Sequence, residues 1–184
     1  MKDDEVRVST PAQQHIRLPR DPTSGAILVL DSAATHVQDN ASYYAINDKA
    51  FHVADANVIA NTNSRTLLLT TPDTTKRIYL TYSVSSGNLV QYLFYENPTV
   101  SNVGTDVTNY NRDRNSATAS VLDVNHTPTV SSVGTLISQG YLVTDEHIEN
   151  NIWILKQNEQ YLFRVTNNSG DNASVTIMLD WYEV

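Results

Sequence analysis

The chain has 184 residues, a net charge of −8, 17 % charged residues and no cysteine. That length fits one domain, or one domain with an arm. The lack of cysteine excludes a disulfide framework, a thiolate metal site and a cysteine nucleophile, and the acidic balance argues against a general nucleic-acid binder.

Residues 1–25 differ in character from the rest. Pro11, Pro19 and Pro22 interrupt the segment, Gly25 closes it, and Lys2, Arg7, Arg17 and Arg20 alternate with Asp3, Asp4, Glu5 and Asp21. Its apolar residues are too sparse to bury a core, so it reads as a flexible tail or as an extended arm that gains order on a partner. Ile16, Arg17, Leu18 and Arg20 mix apolar anchors with cations and are candidate interface residues. The opening Met1-Lys2-Asp3-Asp4-Glu5 has no hydrophobic stretch of the signal-peptide kind, and no apolar run reaches the length of a membrane span. No membrane partner is expected.

Residues 26–184 read as a β-domain rich in Asn, Thr, Ser and Tyr. Thr fits a pleated sheet, whereas Asn and Ser compete with helix hydrogen bonds. Strands are expected at Ala26–Leu30, Ser42–Ile46 and Arg65–Thr71, and Ala54–Ala60 fits either a strand or a helical turn. Lys76–Ser85 alternates, with Ile78, Leu80, Tyr82 and Val84 on one face. Ser86-Gly87-Asn88 then signals a hairpin into Leu89–Glu96, which is apolar on both faces and so suits a central strand.

The next stretch holds a near-exact repeat. Pro98-Thr-Val-Ser-Asn-Val-Gly-Thr105 returns as Pro128-Thr-Val-Ser-Ser-Val-Gly-Thr135. Proline suits the start of a strand, Thr-Val fits its body, and glycine permits a turn with positive φ. Two copies are too few for a solenoid and predict two similar corners in one β-domain. Between them lie Val107–Tyr110, the polar loop Asn109–Ser116 and an expected strand at Ala119–Val124. Further strands are predicted within Leu136–Thr144, then at Asn151–Lys156, Gln160–Asn167 and Ala173–Glu183, with an acidic loop at Asp145–Glu149. In the last strand Val175, Ile177, Leu179 and Trp181 share a face. Eight to ten short strands with polar turns predict an antiparallel β-sandwich or jelly roll.

The residues nominate little chemistry. The histidines, His15, His36, His52, His126 and His147, lack ligand spacing and suit surface or hydrogen-bonded roles better than a metal site. Asp145, Glu146 and Glu149 lack the alternating ligands and glycine of a calcium loop. A glycosidase needs two positioned carboxylates, but Asp180 and Glu183 fall on opposite faces and nothing pairs Glu96 with either. No Gly-x-Ser-x-Gly elbow or phosphate loop occurs. No hydrolase activity, cofactor or metal is expected. Asp180 reads as a hydrogen-bonded cross-strand residue. Arg112 and Arg114 project to one side if extended, where they either clamp a partner carboxylate or join a local network with Asp113.

Several stretches together carry a family resemblance. Thr70-Thr-Pro-Asp-Thr-Thr-Lys76, Leu93-Phe-Tyr-Glu96, Asn111-Arg-Asp-Arg-Asn-Ser116 and His126-Thr-Pro-Thr-Val130 are the first four. Ile154-Leu-Lys-Gln-Asn158, Tyr161-Leu-Phe-Arg-Val-Thr166 and Leu179-Asp-Trp-Tyr-Glu183 complete the set. This order resembles a recurring set in tailed-phage virion proteins and covers about residues 65–184; the first 64 residues depart from it. The resemblance implies a particle component, with a capsid decoration (cement) protein as the expectation, and carries over no catalytic residue. On that reading the partners are the major capsid protein and further copies of the chain, with a trimer fitting a local threefold of the shell. The protein would be assembled in the host cytoplasm and displayed on the outer surface of the head. A tail or baseplate component that binds host carbohydrate is the alternative.

Overall fold

The computed structural model describes residues 6–9, 15–18, 44–45, 47–143, 146–148 and 152–184. The chain divides into two compact units, Met1–Asp39 and Asn40–Val184. In the first, β1 (Val6–Ser9) runs antiparallel to β2 (His15–Leu18), with Val6 opposite Leu18 and Arg7 opposite Arg17. The strand expected at Ala26–Leu30 lies outside the described residues. Of the one expected at Ser42–Ile46, Tyr44 and Ala45 are helical instead. Their carbonyls accept the amides of Lys49 and Asp48, which brings the chain into its first long strand.

The described residues of the second unit form fourteen strands: β3 (Ala50–Ile59), β4 (Ser64–Thr70), β5 (Ile78–Ser86), β6 (Leu89–Glu96), β7 (Thr99–Asn102), β8 (Thr105–Asp106), β9 (Tyr110–Asn111), β10 (Asp123–His126), β11 (Thr129–Ser132), β12 (Thr135–Val143), β13 (Glu146–Ile148), β14 (Trp153–Leu155), β15 (Gln160–Asn167) and β16 (Ala173–Glu183). One sheet has the order β12-β6-β15-β4-β10-β8. The second has the order β13-β5-β16-β3-β9, with β14 also on β5. All ladders are antiparallel, and the two sheets pack face to face as the expected β-sandwich.

Alternation places the core. Ile78, Leu80, Tyr82 and Val84 on β5, and Val175, Ile177, Leu179 and Trp181 on β16, are buried from one sheet. Leu67, Leu69, Val90, Phe94, Tyr161, Phe163 and Val165 meet them from the other. The Tyr82 ring stands 4.7 Å from Phe163 and 5.9 Å from Phe94, centroid to centroid, so the sheets interlock through aromatic contacts. Each such large side chain contributes about 1.5–3 kcal/mol on burial.

The Ser86-Gly87-Asn88 turn is not a hairpin. β5 and β6 lie in opposite sheets, and the turn is an arch between them, held by Gly87 N donating to Ser174 O (3.2 Å) and Asn88 Nδ2 to Asn172 O (2.9 Å). A hairpin would put the apolar faces of both strands side by side; the arch buries them against each other. It also leaves both edges of β6 for β12 and β15, which makes β6 the central strand its composition demands.

Two other expectations change. The acidic stretch at 145–149 contains β13, which pairs with Ser83–Ser85 and covers part of the β5 edge that β14 leaves open. The strand expected at Ala119–Val124 starts only at Asp123. Before it, the amides of Val121 and Leu122 turn to the Glu183 carboxylate, at 2.8 and 3.4 Å, instead of entering a ladder.

The repeat folds as a reciprocal clamp. β7 and β11 pair with each other in a separate two-stranded sheet, with Val130 opposite Val100. Thr105, the last residue of the first copy, pairs with His126, two residues before Pro128. Thr135, the last of the second, pairs with Glu96, two residues before Pro98. Asn97 and Thr127, which precede the prolines, both have positive φ (60° and 54°), as do Gly104 and Gly134 (94° and 80°). A Cβ on Gly104 would lie 2.2 Å from His126 O, and one on Gly134 would lie 2.2 Å from Glu96 O. Each copy therefore needs its glycine because the backbone entering the other copy passes there.

Candidate functional site

The site is built on the outer face of the second sheet. β9 is its edge strand, with Tyr110 opposite His52 and Asn111 opposite Phe51 on β3. Asn111 is buried and organises the loop that follows. Its amide donates to Asp48 O (3.3 Å) and Thr118 O (3.3 Å), and its Oδ1 accepts Asp113 N (2.9 Å). Asp113 Oδ1 accepts Asn115 N (2.9 Å), and Ser116 Oγ accepts Thr118 N (3.0 Å). These side-chain-to-backbone bonds are why an Asn-Arg-Asp-Arg-Asn-Ser stretch forms a set loop and not a strand.

The loop fixes two cations. The Arg112 amide donates to Ala50 O (2.9 Å), and its Nη2 lies 2.6 Å from Asp180 Oδ1. The same oxygen is 3.0 Å from His52 Nδ1, and Asp180 sits directly opposite His52 in the β16–β3 ladder. Asp180 is thus the cross-strand hydrogen-bonded residue its position suggested. The Arg114 guanidinium stands over the Tyr110 ring, 5.0 Å from its centroid, a cation–π contact. His52, Tyr110, Asn111, Arg112 and Arg114 line a cleft of about 260 Å³.

Of the sequence candidates, Arg112 and Arg114 meet at this cleft. Arg112 takes a carboxylate of its own chain, Asp180, while the Asp113 carboxylate goes to the Asn115 amide. Ile16, Arg17 and Leu18 belong to β2 in the other unit, and Arg20 lies outside the described residues. Sequence reasoning did not nominate His52, Tyr110 or Asp180 for this cleft. Tyr110 has the same parity as the two arginines and was accessible to an alternation argument; the His52–Asp180 pairing spans most of the chain and left no local signal. Chemically, the cleft offers two guanidinium groups, an imidazole and an aromatic wall. Such a set is suited to holding an anion.

A second polar cluster lies where β4, β14, β15 and β16 end. Thr71 Oγ1 donates to Lys156 O (2.7 Å) and accepts Glu159 N (2.9 Å); Asn158 N donates to Pro72 O (3.2 Å). Gln157 Nε2 bonds Thr74 O, and Lys156 Nζ pairs with Glu96. Lys156 N donates to Tyr161 Oη (2.8 Å). The hydrogen bond and charge of Glu96 push the Lys156 ammonium pKa above its ordinary value, and desolvation pushes the Tyr161 phenol up. Lys76 Nζ lies 3.3 Å from Glu183 Oε2. Glu183 Oε1 accepts Ser120 Oγ (2.7 Å), Val121 N (2.8 Å) and Trp181 Nε1 (3.2 Å). Among the described residues, no group of three or more His, Asp or Glu converges as a metal site.

Compared with known proteins, the chain matches no family model, no curated protein and no solved structure.

Proposed function

We infer that this chain is a structural protein of a tailed-phage virion, a decoration or cement protein bound to the outer surface of the head through the major capsid protein. The observation that carries the reading is where the residues of the phage-like motif set fall. Thr70–Lys76, Ile154–Asn158, Glu96, Tyr161 and Glu183 spend their polar groups on one another and on the backbone of neighbouring strands. Motifs that serve to lock a scaffold suit a protein selected for a rigid, particle-bound shape. No catalytic residue, cofactor, nucleic acid or membrane enters this reading.

The mechanism is mass action. A protein that binds the assembled lattice and not its free subunits stabilises the lattice, and several copies spanning neighbouring subunits add avidity. We assign the β12 edge to contact between copies. It is a long edge strand without a single charged residue in a chain of net charge −8, and Tyr141 and Val143 on it are 64 % and 67 % exposed. Edges of this kind normally carry charges or proline that block association. Contact of this edge with a different surface of the next copy closes into a ring, and three copies match a local threefold of the shell. The N-terminal arm, with Arg17 and Arg20, supplies local complementarity to the shell that the net charge does not.

Heads stripped of the protein test the reading. The full chain should cosediment with them and decorate the head surface in electron micrographs, and a chain starting at Thr23 should fold but bind more weakly. Label confined to the tail would instead support a tail or baseplate component that binds host carbohydrate. The half-exposed Tyr110 beside Arg114 favours that second reading, because aromatic faces stack on sugars.

A further inference from the structure

We propose that the cleft between β9 and β3 is a socket for one carboxylate on a short aliphatic stem, the side chain of an Asp or Glu displayed by a protein partner. The assignment stands on the cleft itself and holds whether the partner is a phage head, a tail or another protein.

Three observations carry it. The first is charge. Arg112 and Arg114 bring two positive charges to the cleft, and Asp180, paired with Arg112, removes one. The balance matches a monoanion better than a phosphate dianion, and the surrounding −8 chain repels polyanions further. The second is availability. Arg114 has a ring contact with Tyr110 and, among the described residues, no ion pair. Arg112 is paired through Nη2, and a guanidinium can hold two acceptors in one plane. The third is preorganisation. The loop that presents both arginines is fixed by the Asn111 and Asp113 side chains, so little order has to be gained on binding. At about 260 Å³ the cleft is smaller than an ordinary small-molecule pocket and holds a side chain, with the Tyr110 ring as a wall for its methylenes.

Asp180 then has a defined role as the internal competitor. It holds Arg112 when no partner is present and keeps the cleft from being a bare pair of cations. Removing its charge should strengthen binding of an external carboxylate, an effect opposite to that of losing a merely structural contact.

The test uses the full chain and arginine Nε–H signals in ¹H–¹⁵N spectra. The probe is N-acetylglutamate α-amide, a monoanion, against its neutral isostere N-acetylglutamine α-amide. The expected result is a saturable shift of the Arg112 and Arg114 signals with a Kd on the order of millimolar, the strength of one charge-assisted contact, and none with the isostere. Arg114→Gln should weaken the probe about tenfold with an unchanged thermal midpoint. Asp180→Asn should tighten it about threefold, the effect of removing one nearby like charge at the surface. Equal shifts with the isostere, no saturation, or weaker binding to Asp180→Asn would overturn the socket. Tighter binding of inorganic phosphate would overturn the monoanion assignment. Tighter binding of glucuronate would overturn the protein side chain as the source in favour of an acidic sugar.

Discussion

At Glu183 a carboxylate with 2 % exposure accepts Ser120 Oγ, two backbone amides and the Trp181 indole, and pairs with Lys76. Glu183→Ala would leave the buried Trp181 Nε1 and the partly buried Val121 N without their acceptor, at about 1–3 kcal/mol for each lost partner. A loss of about 3 kcal/mol in urea unfolding is expected, and much less for Lys76→Met, because that ammonium is partly solvated. Tyr161 and Lys156 contribute to the response to alkaline pH. Both hold their protons more tightly in the folded chain than at their ordinary values of 10.0 and 10.5. Above about pH 10 the unfolded chain therefore binds fewer protons than the native one, and stability falls as pH rises. Thermal midpoints should be insensitive to these two groups through neutral pH and drop beyond pH 10, with a shallower drop in Tyr161→Phe.

Among the elements, the paired repeat makes the sharpest demand on sequence. Gly104 and Gly134 combine positive φ with backbone oxygens where a Cβ would sit. Ala at either position should cost more than about 2 kcal/mol, since both strain and collision oppose it. Gly170 shares the positive φ but faces open space, so Gly170→Ala should cost about 1 kcal/mol. Gly87 has neither constraint and should tolerate Ala. Equal costs at all four positions in denaturant unfolding would contradict the clamp. The repeat was legible in the sequence as two similar corners. That the corners hold each other was not, because identity between two segments does not say where they meet.

For the whole molecule, the long uncharged edge at β12 decides between a free sandwich and an assembled one. The pair Tyr141→Lys and Val143→Glu places charges on exposed positions of that edge and leaves the buried Leu142 between them in place. Sedimentation at micromolar concentration should show about three chains for the natural protein and a shift towards monomer for the double variant, with the thermal unfolding of the sandwich little changed. Unchanged sedimentation of the variant would move the contact elsewhere on the surface.

Alternation and turn chemistry alone determined the class of this protein. A strand such as β16, with Val175, Ile177, Leu179 and Trp181 at every second position, can bury that set only as one face of a sheet. The same local logic marked β4, β5, β6 and β15. Which strands would neighbour which was decided only in the folded chain. The Ser86-Gly87-Asn88 signal is satisfied by an arch as well as by a hairpin, and the burial of Tyr82 against Phe94 and Phe163 selected the arch. Ala119–Leu122 has the composition of a strand and lost its ladder to the Glu183 carboxylate. The cleft follows the same rule. Arg112 and Arg114 announce themselves as a pair of charges, but His52 and Asp180 join them only because β3 and β16 pair in one register. Local sequence sets what each segment can bury, and long-range pairing sets against what.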